Sequence, residues 1–183
     1  MKRSALNLVS ALKSKLLEFP GIVSSLEKKE IFFIEKLFMW INNTEEILTT
    51  YNISEVSEIS GLRSKIISPK FSNNKSISIK KAQLKIASEI LYELQNTVLK
   101  VLKPFELKVE ECRELVRQLL LIVGQTKAIK YNSDFPFENL VNDVWQFIVS
   151  NEQLKAGAIK LKTNLPITDI QIIIAEELNL EDF

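Results

Sequence analysis

Apolar positions along this chain recur at steps of three and four over most of its length, which is the spacing of helices with one face turned inward. The densest stretch runs from Ile31 to Ile41, where nine of eleven side chains are apolar and no residue breaks a helix. Phe33, Ile34, Leu37, Phe38 and Ile41 form one stripe, and Ile47, Leu48 and Tyr51 continue it beyond the polar Asn42-Asn43-Thr44. Phe32, Met39 and Trp40 fall outside its centre, so the apolar surface covers more than half the helix circumference. Cover is therefore needed on two sides. Phe32, Met39 and Trp40 are the candidate interface with a protein partner, and a second copy of the chain, as a homodimer, is the expected one. The run cannot cross a bilayer, because it is shorter than the roughly 20 residues required and carries Glu35 and Lys36.

Reading on either side of that stretch, residues 4–19 place Leu8, Val9, Leu12, Leu16 and Phe19 on one face of a first helix. Pro20-Gly21 is expected to end it. Ser24, with Glu27 three residues on, has the form of a capping box opening the central helix, predicted over 22–51. Asn52 punctuates the chain, and a short helix follows over 54–67 with Ile59, Leu62 and Ile66 inward. Residues 68–78, rich in Ser and Asn, read as an exposed basic loop. From Leu84 the apolar seam runs through Ala87, Leu91, Leu94, Val98 and Val101 to Phe105, and continues through Val109, Cys112, Val116, Leu119 and Val123. Pro104 interrupts it, which predicts two helices, over 80–102 and 106–129, meeting at a corner. Asp134 before Pro136 signals another helix, with Phe137, Leu140, Val141, Val144 and Ile148 inward, Trp145 at the edge of that face, and Asn151 at its end. In the remainder, Ala158 to Lys162 alternates like a strand, while Thr168-Asp169-Ile170-Gln171 has capping-box form. Helix is the favoured reading there, with a small irregular or β element as the alternative. The expected fold is all-α, a multi-helix bundle of six or seven helices in a single domain over 1–183, with 152–183 as a candidate subdomain.

Composition sharpens this picture. With 46% apolar and 26% charged residues, a chain of 183 residues can form a sizeable core, and four glycines with five prolines leave few turns and long elements. The single Cys112 allows no intrachain disulfide and sits on the apolar seam. Met1-Lys2-Arg3 and the apolar residues after it imitate a signal peptide, but Lys13 and Lys15 follow at once and no cleavage site precedes Phe19. A cytoplasmic location is expected.

The chain has no histidine. That excludes Ser-His-Asp and Cys-His catalysis, histidine-ligated zinc and Glu-x-x-His di-iron sites. Neither a Gly-x-Gly-x-x-Gly turn nor a Walker phosphate loop occurs. No catalytic residue, cofactor or metal is assigned, and a non-catalytic interaction or adaptor module is the expected function.

Charge supplies the alternative. Between Ile59 and Ser88 lie Arg63, Lys65, Lys70, Lys75, Lys80, Lys81 and Lys85 with no acid, in a chain whose net charge is only +1. Such a cluster is a candidate anion-binding segment for nucleic acid or another polyanion. Phe71 is its single aromatic, which is thin for base stacking. Glu106, Glu110 and Glu114 align four apart, with Glu111 beside them, but Arg113 and Arg117 follow at helical spacing and predict a solvated, ion-paired face rather than a cation site. The acidic end, Glu176, Glu177, Glu181 and Asp182, would repel a nucleic-acid backbone and is suited to docking on a basic neighbour, including the lysine loop of another copy. A small-molecule sensor with a pocket between helices is a third class, without a sequence feature in its favour.

Overall fold

Helical periodicity dominates the three-dimensional structure as it does the sequence. A computed structural model describes residues 3–71, 78–132 and 134–183, omitting the side chains of Lys70, Phe71 and Asp182. Among the described residues the fold is all-α, without strands. Seven α-helices follow one another: α1 (Ala5–Glu27), α2 (Phe33–Thr50), α3 (Val56–Ile67), α4 (Ile79–Thr126), α5 (Phe137–Ser150), α6 (Lys155–Asn164) and α7 (Ile167–Glu177). Short 3-10 turns occupy Ser68–Phe71 and Leu180–Asp182. The favoured helix reading thus holds for the last 30 residues, because Ala158, Leu161, Leu165, Ile170, Ile173 and Ile174 bury together at helical rather than strand spacing.

Two helices cross prolines that were expected to end them. Pro20 lies inside α1 and Pro104 inside α4, both at exposed positions. An interior proline removes one hydrogen bond and strains the preceding turn, at about 3 kcal/mol. On an exposed face, water can reach the carbonyl left without its partner. Buried residues lie on each side, Leu12 and Ile22 around the first proline and Val101 and Val109 around the second, so packing holds both helices through the defect. The central helix consequently begins at Phe33 rather than near residue 22.

What separates α1 from α2 is a Schellman cap. Lys29 takes φ 54°. The Lys29 N–H donates to the Leu26 carbonyl at 2.9 Å and that of Glu30 to Ser25 at 3.0 Å, satisfying two of the helix's last acceptors. Asn52 ends α2 the same way, at φ 56°, with Asn52 N–H on Thr49 and Ile53 N–H on Leu48. Asn52 was legible as a stop; Lys29 was not, since lysine rarely takes this conformation.

The described chain packs as two compact units, residues 7–104 and residues 1–6 with 105–183, where the sequence reads as a single domain. The division falls directly after Pro104. In the first unit, α2 packs on α3, and the core comprises Leu8, Leu12, Phe33, Leu37, Ile41, Leu48, Ile59, Ile66, Leu94 and Val98. Phe19 meets Trp40 edge to face, with ring centroids 5.0 Å apart. The indole N–H of Trp40 donates to the Lys15 carbonyl at 2.8 Å. Thr44, read as part of an interruption, lies fully buried and returns its hydroxyl to the Trp40 carbonyl at 2.8 Å.

In the second unit α5 packs against α6 and α7 over Val116, Leu120, Val144, Trp145, Ile148, Leu161, Ile170 and Ile174. Trp145 is buried, not at an edge. Gly157 of α6 lies so close to α4 that a Cβ there would stand 2.9 Å from a methyl of Leu119.

Candidate functional site

Of the seven basic residues of 59–88, the five whose side chains are described do not form one open patch. Arg63 is a clamp between helices: its guanidinium donates to Asn42 Oδ1 at 3.0 Å and pairs with Glu45 at 3.3 Å, and Glu45 also accepts from Ser60 at 2.6 Å. Lys65 pairs with Glu93 at 3.8 Å and Lys85 with Glu89 at 4.0 Å. Exposed pairs at such distances are weak, yet they offset the local positive charge. Lys80 and Lys81 stand exposed in the first turn of α4 with no ion pair among the described residues, next to Ile79, which is 50% exposed. Lys75 lies outside the described residues, and the Lys70 side chain is not described. The expected loop over 68–78 opens with a 3-10 turn, and its remainder, 72–77, also falls outside.

The surplus apolar face of α2 is only partly external. Phe32 and Met39 are exposed, at 66% and 65%, with Ile31 beside them. Trp40 does not join them: at 2% exposure, bonded to Lys15, it belongs to the core. Phe32 immediately precedes α2, but its carbonyl accepts the first helical bond, from the Lys36 N–H at 3.0 Å, so at seven residues' spacing Phe32 and Met39 form a short ridge with Lys36 between them. Next to Met39, a shallow groove of about 340 Å³ opens between α1 and α2, lined by Glu18, Gly21, Ile22, Ser25, Lys36 and Asn43.

Ser25, Glu30 and Lys36 converge at one edge of that groove. Lys36 Nζ donates to Glu30 at 2.6 Å and to Ser25 Oγ at 3.3 Å, while Ser25 Oγ donates to Glu30 at 3.0 Å. Hydrogen bonds from Lys36 first and Ser25 second hold the Glu30 carboxyl below its ordinary range. A serine beside a lysine suggests nucleophilic chemistry, but here the hydroxyl proton is already directed to a carboxylate and the amine donates to both neighbours. The cluster braces the Schellman turn.

Two further clusters carry charge in the other unit. Arg113 of α4 reaches Glu177 at 2.5 Å and Glu176 at 2.7 Å, and Arg117 donates to Glu177 at 2.6 Å. Hydrogen bonding to Arg117, then Arg113, pulls the Glu177 carboxyl down, and hydrogen bonding to Glu177 raises both guanidiniums. Two of the four acids expected to dock on a neighbour, Glu176 and Glu177, are therefore engaged at home, on α4. Glu110 and Glu114 pair with the same arginines at 3.4 to 3.8 Å, as their spacing predicted. No group of three metal-ligating side chains converges among the described residues. Burial raises the Cys112 thiol, which keeps it protonated and packs it as a small apolar residue.

Asp169 was missed as a functional position in the fold. Its carboxylate is 1% exposed and accepts from the Ala5 N–H at 2.7 Å and the Leu6 N–H at 3.2 Å. It caps the start of α1 from 164 residues away, whereas its sequence context reads as a cap for its own helix. Sequence spacing carries no signal for such a contact.

An apolar groove of about 500 Å³ lies between α5 and α7. Its floor is Phe137, Val141, Ile172 and Ala175, its one charged lining residue is Glu138, and Asn142 accepts from Gln171 across it at 2.7 Å. No helix among the described residues is long and apolar enough to cross a membrane. No family model, no curated protein and no solved structure matches this chain.

Proposed function

We propose that this chain is a non-catalytic helical interaction module that associates with a second copy through the α2 ridge. The observation that carries the reading is a division within one helix. Phe33, Leu37, Trp40, Ile41 and Leu48 already fill the core, yet Phe32 and Met39 remain on the surface. Single exposed apolar residues are common on protein surfaces, whereas a ridge of them beside a groove is a recognition feature. Burying Ile31, Phe32 and Met39 against the same residues of a partner would form a two-fold, self-complementary contact.

Light scattering on the purified protein at low and high salt tests this. At high salt, where apolar contacts persist, the expected wild type is a dimer, and Phe32→Glu/Met39→Glu is expected to be folded and monomeric there. A wild type that stays monomeric at high micromolar concentration would refute the proposal. Trp40 is unsuitable for this test, since its replacement would disturb the core.

A second reading, binding of nucleic acid or another polyanion, rests on Lys80 and Lys81. Cations in a first turn oppose the helix dipole, which favours anions there, so an anionic partner would relieve the conflict. Charge reversal at both lysines should then abolish salt-sensitive retention on heparin.

A further inference from the structure

The α5–α7 groove is apolar and open, with one carboxylate, Glu138, in its lining. No lysine or arginine lines it, and Ile172 in its floor is 44% exposed. It belongs to the unit whose residues 105–183 carry thirteen acids against eight bases. Residues 7–104 have the opposite balance, fourteen bases against ten acids, and the excess is concentrated in 59–88. Each copy of this chain therefore carries a negative region and a positive one. Identical copies of such a chain attract when unlike regions meet and repel when like regions do.

We infer that the groove of one copy receives the first turn of α4 from a second copy. That turn has the complementary chemistry: an exposed apolar side chain, Ile79, beside two exposed cations without ion pairs among the described residues, Lys80 and Lys81. Its backbone adds the positive end of a helix dipole. Ile79 covers Phe137 and Ile172 while the lysines meet Glu138, whose carboxylate relieves the conflict between those lysines and their own helix end. Because the two surfaces differ, the contact is heterologous and joins copies head to tail, leaving one groove and one basic turn open at the ends of any linear assembly.

The test uses the full chain carrying Phe32→Glu/Met39→Glu, so that association through α2 is absent. In this background, mass should rise with concentration at low salt and fall back at high salt, where charge attraction is screened. Adding Lys80→Glu/Lys81→Glu, or instead Ile172→Lys, should weaken association at least about tenfold. Mixing these two variants should give a 1:1 heterodimer and nothing larger, because only one complementary pair of surfaces remains. Circular dichroism and a cooperative melt establish folding, and Glu138→Lys replaces Ile172→Lys if the latter unfolds. The inference is overturned if the background protein stays monomeric at low salt, or if either variant associates as the background does. It is equally overturned if the background protein remains monomeric yet binds heparin through Lys80 and Lys81, which assigns the basic turn to a polyanion. A salt-insensitive wild-type dimer lost on Phe32→Glu/Met39→Glu, with no residual association, would leave the α2 reading standing and this one refuted.

Discussion

The two compact units are held by different means. Residues 7–104 centre on apolar packing around Trp40, with charge contacts such as Arg63–Glu45 and Glu30–Lys36 bracing neighbouring helices. The other unit adds long-range charge contacts, Asp169 on the start of α1 and the Arg113–Arg117–Glu177 cluster between α4 and α7. Apolar packing is non-directional and insensitive to pH, whereas a carboxylate clamp depends on its charge. Acid is therefore expected to loosen the second unit, where Glu177 answers to two arginines, more than the first, where apolar packing dominates.

Replacing Trp40 by Ala should have the largest effect, about 3–5 kcal/mol, since a buried indole and its hydrogen bond to Lys15 are lost together. Denaturant unfolding would measure this, and a loss under 1 kcal/mol would show that the apolar unit does not depend on that residue. Asp169→Ala leaves two N–H groups of α1 without their acceptor and should cost about 1–3 kcal/mol, less than the tryptophan. Amide exchange at Ala5 and Leu6 should accelerate in that variant.

Glu177 supplies the pH dependence. Its carboxyl is depressed in the folded protein, so the stability it contributes is present above the ordinary carboxylate range near 4.5 and is lost as pH falls through the lower folded value. Glu177→Gln should flatten that acid limb and cost about 1 kcal/mol at neutral pH, because Arg117 is largely exposed. Smaller still, Phe32→Ser and Met39→Ser should change monomer stability by less than about 0.5 kcal/mol, as both side chains are exposed. Any larger loss that depends on protein concentration would mark them as interface residues.

Much of the fold was legible because helical burial is periodic. The seam from Ala87 to Val123 is buried almost throughout, the α3 inward positions are those their spacing indicates, and in α5 Leu140, Val141, Val144 and Ile148 are, while Trp145 is buried with them and Phe137 is only half-buried. Element ends were less legible where a local rule competed with packing. Pro20 and Pro104 signal termination, but buried residues on both sides carry the helix on, and Lys29 ends α1 although nothing in its composition marks a stop. Pro104 marks the boundary of a packing unit instead.

The candidate sites divide along the same line. The net excess of charge in 59–88 and the surplus of apolar side chains around Met39 are properties of composition and spacing, so the chain by itself determined them, along with the absence of every histidine-dependent chemistry. Only the tertiary structure decided that Trp40 turns inward while Phe32 and Met39 do not, that Arg63 serves Glu45, and that Glu177 is taken by Arg113 and Arg117. Periodicity reports which face of a helix is apolar, but how much of that face is covered, and which charge meets which, depends on residues brought together from distant parts of the chain.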